Sequence, residues 1–109
     1  MTSVNIYRDK NKNIVKFVAD GHANSSEEND IVCAAISSAV HLTLNGIENV
    51  LNINIGYEVD DGYLFFVLPC DITDEERKSV NILLNSMYLF LVNLEEQYSE
   101  NITICELEV

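Results

Sequence analysis

One histidine and one cysteine stand close in the sequence within Gly21-His22-Ala23-Asn24-Ser25-Ser26-Glu27-Glu28-Asn29-Asp30-Ile31-Val32-Cys33-Ala34-Ala35-Ile36-Ser37. The pattern predicts His22 at the end of a strand and Cys33 in the first turn of a helix. A cysteine nucleophile needs that arrangement, because the thiolate attacks a carbonyl and both a helix N-terminus and a nearby imidazolium favour it over the thiol. Backbone N–H groups at Val32, Cys33 or the loop before them would then face the oxyanion of a tetrahedral intermediate. His22 would take the thiol proton and return it to the leaving amine before water clears the thioester. His41 is too far to serve: eight helical residues rise about 12 Å, beyond hydrogen-bond reach. Asp30 has three open roles, as the cap of the helix, as an orienting partner of His22 or as a substrate contact. As an anion near Cys33 it opposes the thiolate.

Each of these residues also has a reading without chemistry. A cysteine in Ile31-Val32-Cys33-Ala34-Ala35-Ile36 can be a small buried hydrophobe, and a histidine after glycine can cap a turn. Ser37, one turn after Cys33, is either a wall of the site or an ordinary helix residue. Cys70 and Cys105 read as packing residues at strand edges, with no chemistry assigned.

The elements that must position His22 and Cys33 follow from turn chemistry and periodicity. Val4 to Tyr7 and Ile14 to Asp20 flank a polar turn, as in an antiparallel hairpin, and Gly21 ends the second strand. Asp30 is expected as the N-cap of the first helix. Val32, Ile36, Ala39, Val40 and Thr43 share its apolar face, and Gly46 stands near its stop. A second hairpin, Asn52 to Asp60 and Tyr63 to Leu68, turns at Asp60-Asp61-Gly62, and Pro69 closes it. Thr73-Asp74-Glu75-Glu76 is a capping-box pattern that opens a long helix to about Tyr98, with Val80, Leu83, Leu84, Met87, Leu91 and Leu94 at helical spacing. Ile102 to Leu107 reads as a last strand. The fold class is α/β, in the α+β sense: one small domain over residues 1–109, in the order β-β-α-β-β-α-β, with a mostly antiparallel sheet packed on two helices.

Composition agrees with one globular domain, since the 109 residues are 48% hydrophobic and 22% charged. The start of the chain lacks a signal-peptide pattern and no apolar run suggests a membrane span, so a cytoplasmic protein without membrane contact is expected. Three widely spaced cysteines suit reduced thiols, and the absence of a C-x-x-C pair argues against structural zinc. No metal or cofactor is expected. The net charge of -12 repels a phosphate backbone and argues against nucleic acid as the main partner. Arg8, Lys10, Lys12 and Lys16 lie in the first hairpin, so the remaining surface is strongly acidic and suited to a basic polypeptide. Acidity that only keeps a small domain soluble is the other reading.

Gly21-His22-Ala23 followed by Asp30-Ile31-Val32-Cys33-Ala34-Ala35-Ile36-Ser37 resembles the signature of the ribosomal-processing cysteine protease family called Prp, and the similarity extends over nearly the whole chain. The resemblance implies a small α/β protein, usually dimeric, with His22 as general base and Cys33 as nucleophile, and with Gly21, Asp30 and Ser37 at framework positions. It also implies a substrate: the short N-terminal extension of large-subunit ribosomal protein L twenty-seven, cut after a Phe-Phe-Ala-like sequence. Such a basic partner agrees with the acidic surface. Two other classes are compatible with the chain. One is a noncatalytic ribosome-assembly module that binds a basic ribosomal protein. The other is a redox-responsive thiol protein, which would need a resolving cysteine that the spacing does not supply.

Overall fold

The computed structural model describes residues 1–21 and 26–109. Its elements run β1 (Thr2–Arg8), β2 (Ile14–Gly21), α1 (Glu27–Asn45), β3 (Gly56–Asp60), β4 (Tyr63–Val67), α2 (Asp74–Gln97) and β5 (Ile102–Glu108). The strands form one sheet in the order β3-β4-β2-β1-β5. All neighbours are antiparallel except β1 and β5, which run parallel in the register Thr2↔Ile102 to Arg8↔Glu108. The α+β order and the mostly antiparallel sheet on two helices therefore stand as expected.

Alternation decides which sheet face is covered. Thr2, Val4 and Ile6 of β1 are buried, and they pair with Gly21, Ala19 and Phe17 of β2. Across the next ladder, Ala19 meets Leu64 and Phe17 meets Phe66, whose ring stacks on it at 5.1 Å between centroids. Onto this face pack Val32, Ile36 and Val40 of α1 and Val80, Leu84, Met87 and Leu91 of α2, in one apolar cluster. The helices do not reach β3. Tyr57 and Val59 lie opposite Phe66 and Leu64, on the core side, yet every β3 residue is exposed. The sheet therefore projects past its helical layer, and the projecting hairpin becomes one wall of a cleft.

Local chemistry fixes the helix ends. Thr73 accepts the Glu76 N–H at 3.1 Å while Glu76 accepts the Thr73 N–H at 3.0 Å, so the capping box opens α2 as expected. The far end of the sheet is tied to α2 by a small polar network: the Arg8 guanidinium and the Tyr88 hydroxyl both donate to Glu106, each at 2.8 Å. These donors hold the Glu106 carboxyl below its ordinary range, and the same bond raises the Tyr88 phenol above its own.

Three expectations need correction. Asp30 does not cap α1; Ser26 does, accepting the Asn29 N–H at 3.1 Å, so the helix begins at Glu27 and Asp30 is exposed within its first turn. Serine caps as well as aspartate, and Glu27 and Glu28 after it suit the positive end of the helix dipole. Gly46 stands at the end of α1, as expected, and a wider π-helical turn follows it through Val50. Its second role is packing: a Cβ there would lie 2.8 Å from Leu83 Cδ1, so the missing side chain lets α1 approach α2. The second hairpin begins at Gly56 rather than Asn52, because Asn52 takes a left-handed conformation (φ 56°) that a strand does not accommodate. Finally, Glu27–Val50 is long and apolar enough, at mean hydropathy 1.4, to cross a membrane by composition. Of this segment, the stripe Val32, Ile36, Val40 and Thr43 is buried in the fold, as on the inner face of an amphipathic helix.

Candidate active site

Cys33 is the seventh residue of α1, which begins at Glu27, so it sits two turns into the helix and not in the first turn. Only the first-turn N–H groups lack intrahelical partners, and the dipole acts mainly there. The Val32 and Cys33 N–H groups are thus committed to the helix and are not oxyanion donors. The helix terminus is not what activates this thiol. The other source of donors considered above, the loop ahead of the helix, falls largely on residues 22–25, outside those described.

The half-buried thiol opens instead onto a cleft of about 320 Å³ between α1 and the β3–β4 hairpin. Cys33 and Ser37 form the helical wall, Val59 and Tyr63 the hairpin wall, and Thr2 and Gly21 part of the floor. Two glycines set the width of this floor. The Gly21 N–H donates to the Gly62 carbonyl at 2.7 Å, drawing the end of β2 against the hairpin turn. A Cβ on Gly21 would stand 3.1 Å from Thr2 Oγ1 and 3.8 Å from Cys33 Sγ, so the framework glycine keeps the thiol's surroundings open. Gly62 has φ +73°, and a Cβ on it would meet the Gly21 carbonyl oxygen at 2.9 Å. Gly62→Ala should therefore destabilise the fold by about 1–3 kcal/mol, as a non-glycine residue forced into the left-handed region does. Urea unfolding would check this, and a change under about 0.5 kcal/mol, typical of an inert surface substitution, would contradict it.

The structure gathers Gly21, Cys33 and Ser37 around the cleft and leaves Asp30 exposed one turn before the thiol. Ser37 Oγ is 3.2 Å from His41 Nδ1, whose ring nitrogen also lies 2.7 Å from the Ser37 carbonyl oxygen. His41 is thus occupied on its own helix. His22 lies outside the described residues. Cys70 and Cys105 are exposed rather than packed at strand edges. Among the described residues no group of His, Cys, Asp or Glu could hold a metal ion.

Sequence reasoning missed Thr2. Its hydroxyl is 3.6 Å from Cys33 Sγ, and the residue is only 4% exposed. The available signal was alternation, which puts Thr2 on the same face of β1 as Val4 and Ile6.

Residues 1–103 match the family described as "Cysteine protease Prp". The class that the fold and the match define is a cysteine protease with an α+β fold. Over 111 residues the chain is 31% identical to the ribosomal processing cysteine protease Prp of Bacillus subtilis (strain 168), covering 95% of this chain and 96% of that one. The protein of the same name from Staphylococcus aureus (strain Mu50 / ATCC 700699) is 30% identical over 107 residues, with 95% and 97% covered. The crystal structure of the essential ribosomal processing protease Prp from S. aureus in complex with a substrate peptide superposes at a TM-score of 0.85 with 25% identity, covering 97% of this chain and 99% of that one. The same enzyme with a covalently linked product peptide gives 0.80 and 28%, with the same coverage. The chain belongs to the Prp family of cysteine proteases.

Proposed function

We propose that this protein is a cysteine endopeptidase that removes the N-terminal extension of large-subunit ribosomal protein L twenty-seven, with Cys33 as nucleophile and His22 as general base. The observation that carries the reading is the position of Cys33: its sulfur opens onto the cleft beside Gly21, the residue that precedes His22. His22 follows Gly21 directly in the sequence. A covalently linked product peptide in the S. aureus relative is consistent with attack by such a thiol. The cleft between helix and hairpin has a volume of about 320 Å³, and Val59 gives it an apolar wall.

Cys33 attacks the scissile carbonyl while His22 accepts its proton. The imidazolium then protonates the leaving amine, and water activated by the neutral imidazole hydrolyses the thioester. No cofactor takes part. The acidic surface, at net charge -12, draws in a basic ribosomal protein and disfavours nucleic acid. The enzyme works in the cytoplasm, as a homodimer. Support for the dimer comes from an apolar groove between α1 and α2 lined by Ala39, Leu42, Met87 and Phe90, with Leu42 73% exposed.

Incubation with a peptide carrying a Leu-Asn-Leu-Gln-Phe-Phe-Ala-like extension, followed by mass spectrometry, tests the activity. Cleavage after the Phe-Phe-Ala-like segment is the expected result. Tight binding without cleavage would replace the protease with a ribosome-assembly module, and sedimentation at the monomer mass would remove the dimer.

A further inference from the structure

We propose that Thr2 is a positioning residue for the Cys33 thiol, its hydroxyl holding the sulfur in the cleft and donating a hydrogen bond to it once the proton has left. The inference rests on Cys33 being the nucleophile. Three observations carry it.

The first is contact. Thr2 Oγ1 lies 3.6 Å from Cys33 Sγ across 31 residues of sequence, within the reach of a sulfur hydrogen bond, and either atom can be the donor. A hydroxyl both donates and accepts, so the pairing survives the change of protonation state. With the thiol neutral, S–H can point to Oγ1; with the thiolate, O–H turns to the sulfur. The second is burial. Thr2 is 4% exposed on the core side of β1, where a hydroxyl without a partner is costly, and the contact with Cys33 satisfies it. Valine would fill the same space without that cost. The third is how the hydroxyl is held. The Thr2 N–H donates to the Asn101 carbonyl at 2.8 Å, and Thr2 is in register with Gly21 on one side and Ile102 on the other. Both flanking ladders fix its backbone, so the hydroxyl approaches Cys33 from a rigid strand.

The arrangement also gives Gly21 a reason that concerns chemistry. A Cβ on Gly21 would crowd Thr2 Oγ1 at 3.1 Å and lie in ordinary contact with the sulfur at 3.8 Å. Glycine at this point leaves the hydroxyl and the thiol free to meet.

The helix terminus is too far from Cys33 to supply the stabilisation expected of it, and Asp30 adds negative charge one turn away. A neutral donor in contact with the sulfur is one way to offset both. A hydrogen bond to a charged acceptor is worth on the order of a tenfold change in equilibrium, and sulfur is a weak acceptor, so an effect of about 5- to 10-fold is expected.

The test compares wild type with Thr2→Val, which removes the hydroxyl, and Thr2→Ser, which keeps it. The rate of iodoacetamide alkylation at Cys33 is followed across pH by mass spectrometry of the Cys33 peptide, which separates it from the exposed Cys70 and Cys105. Thr2→Val is expected to alkylate about 5- to 10-fold more slowly at neutral pH, with its rate profile displaced to higher pH, while Thr2→Ser stays within about twofold of wild type. Thermal unfolding of each variant shows that the fold is retained, and Thr2→Ser serves as the folded reference if Thr2→Val unfolds. In the cleavage assay, kcat/KM should follow the same order. A wild-type alkylation profile in Thr2→Val, or equal slowing in both variants, would overturn the proposal. Because alkylation reads the thiol directly, it remains decisive if the peptide is not cut; normal cleavage by Cys33→Ala would instead overturn the assignment of the nucleophile.

Discussion

Cys33→Ala is expected to lower peptide cleavage by about 10⁴-fold or more, with His22→Ala losing a comparable factor and the double variant losing little beyond either one. Residues that act as one unit are strongly non-additive: once no thiol can attack, a base has nothing to deprotonate. The single variants should keep the fold. Cys33 is half-buried at the edge of the cleft, and alanine is the best helix former, so the lost sulfur contacts cost little. Steady-state cleavage by mass spectrometry, beside circular dichroism on the same samples, separates loss of chemistry from loss of structure. Turnover by the alanine variant within tenfold of wild type would mean that Cys33 is not the nucleophile.

Phe17→Ala should do the opposite, removing stability while leaving every group in the cleft in place. Phe17 is fully buried on β2, stacked against Phe66, and joined to the cluster in which α1 and α2 meet the sheet. Deleting such a ring costs about 3–5 kcal/mol through lost transfer energy and the cavity left behind. Against a total of about 5–15 kcal/mol for a domain, that is a large share. The midpoint of urea unfolding should fall steeply with its slope unchanged. A loss below about 1 kcal/mol would show that the sheet can relax into the space, contrary to the close packing seen here. Together the two variants separate a group needed for attack from a group needed to hold it.

Much of this architecture was legible in the chain because its signals are local. The capping box at Thr73 and Glu76 has two reciprocal partners three residues apart, and the Asp-Gly turn names its own geometry; both appear where expected. The start of α1 was harder, since Ser26 and Asp30 are both good caps and only the packing of the whole helix chooses between them. That ambiguity moved Cys33 from the first turn to the second and changed the account of what stabilises its charge. Gly46 ends α1 as expected, but its second role, clearing the path of Leu83, depends on packing between helices and leaves no local signal. For Thr2, alternation gives only the buried face of β1, because its contact with Cys33 spans the chain and depends on sheet register.

The pairing of β1 with β5 sets an order of events for synthesis. Thr2 and Ile102 are in register, so the strand carrying the cleft floor is flanked on one side by a segment made about a hundred residues later. Until that segment leaves the ribosome, β1 is an uncovered edge, with free backbone donors and acceptors that invite pairing with other chains. Contacts this distant in sequence also form slowly, since the intervening chain must first be brought together. The strand that carries Thr2 thus completes its pairing only after α2 and β5 have been made.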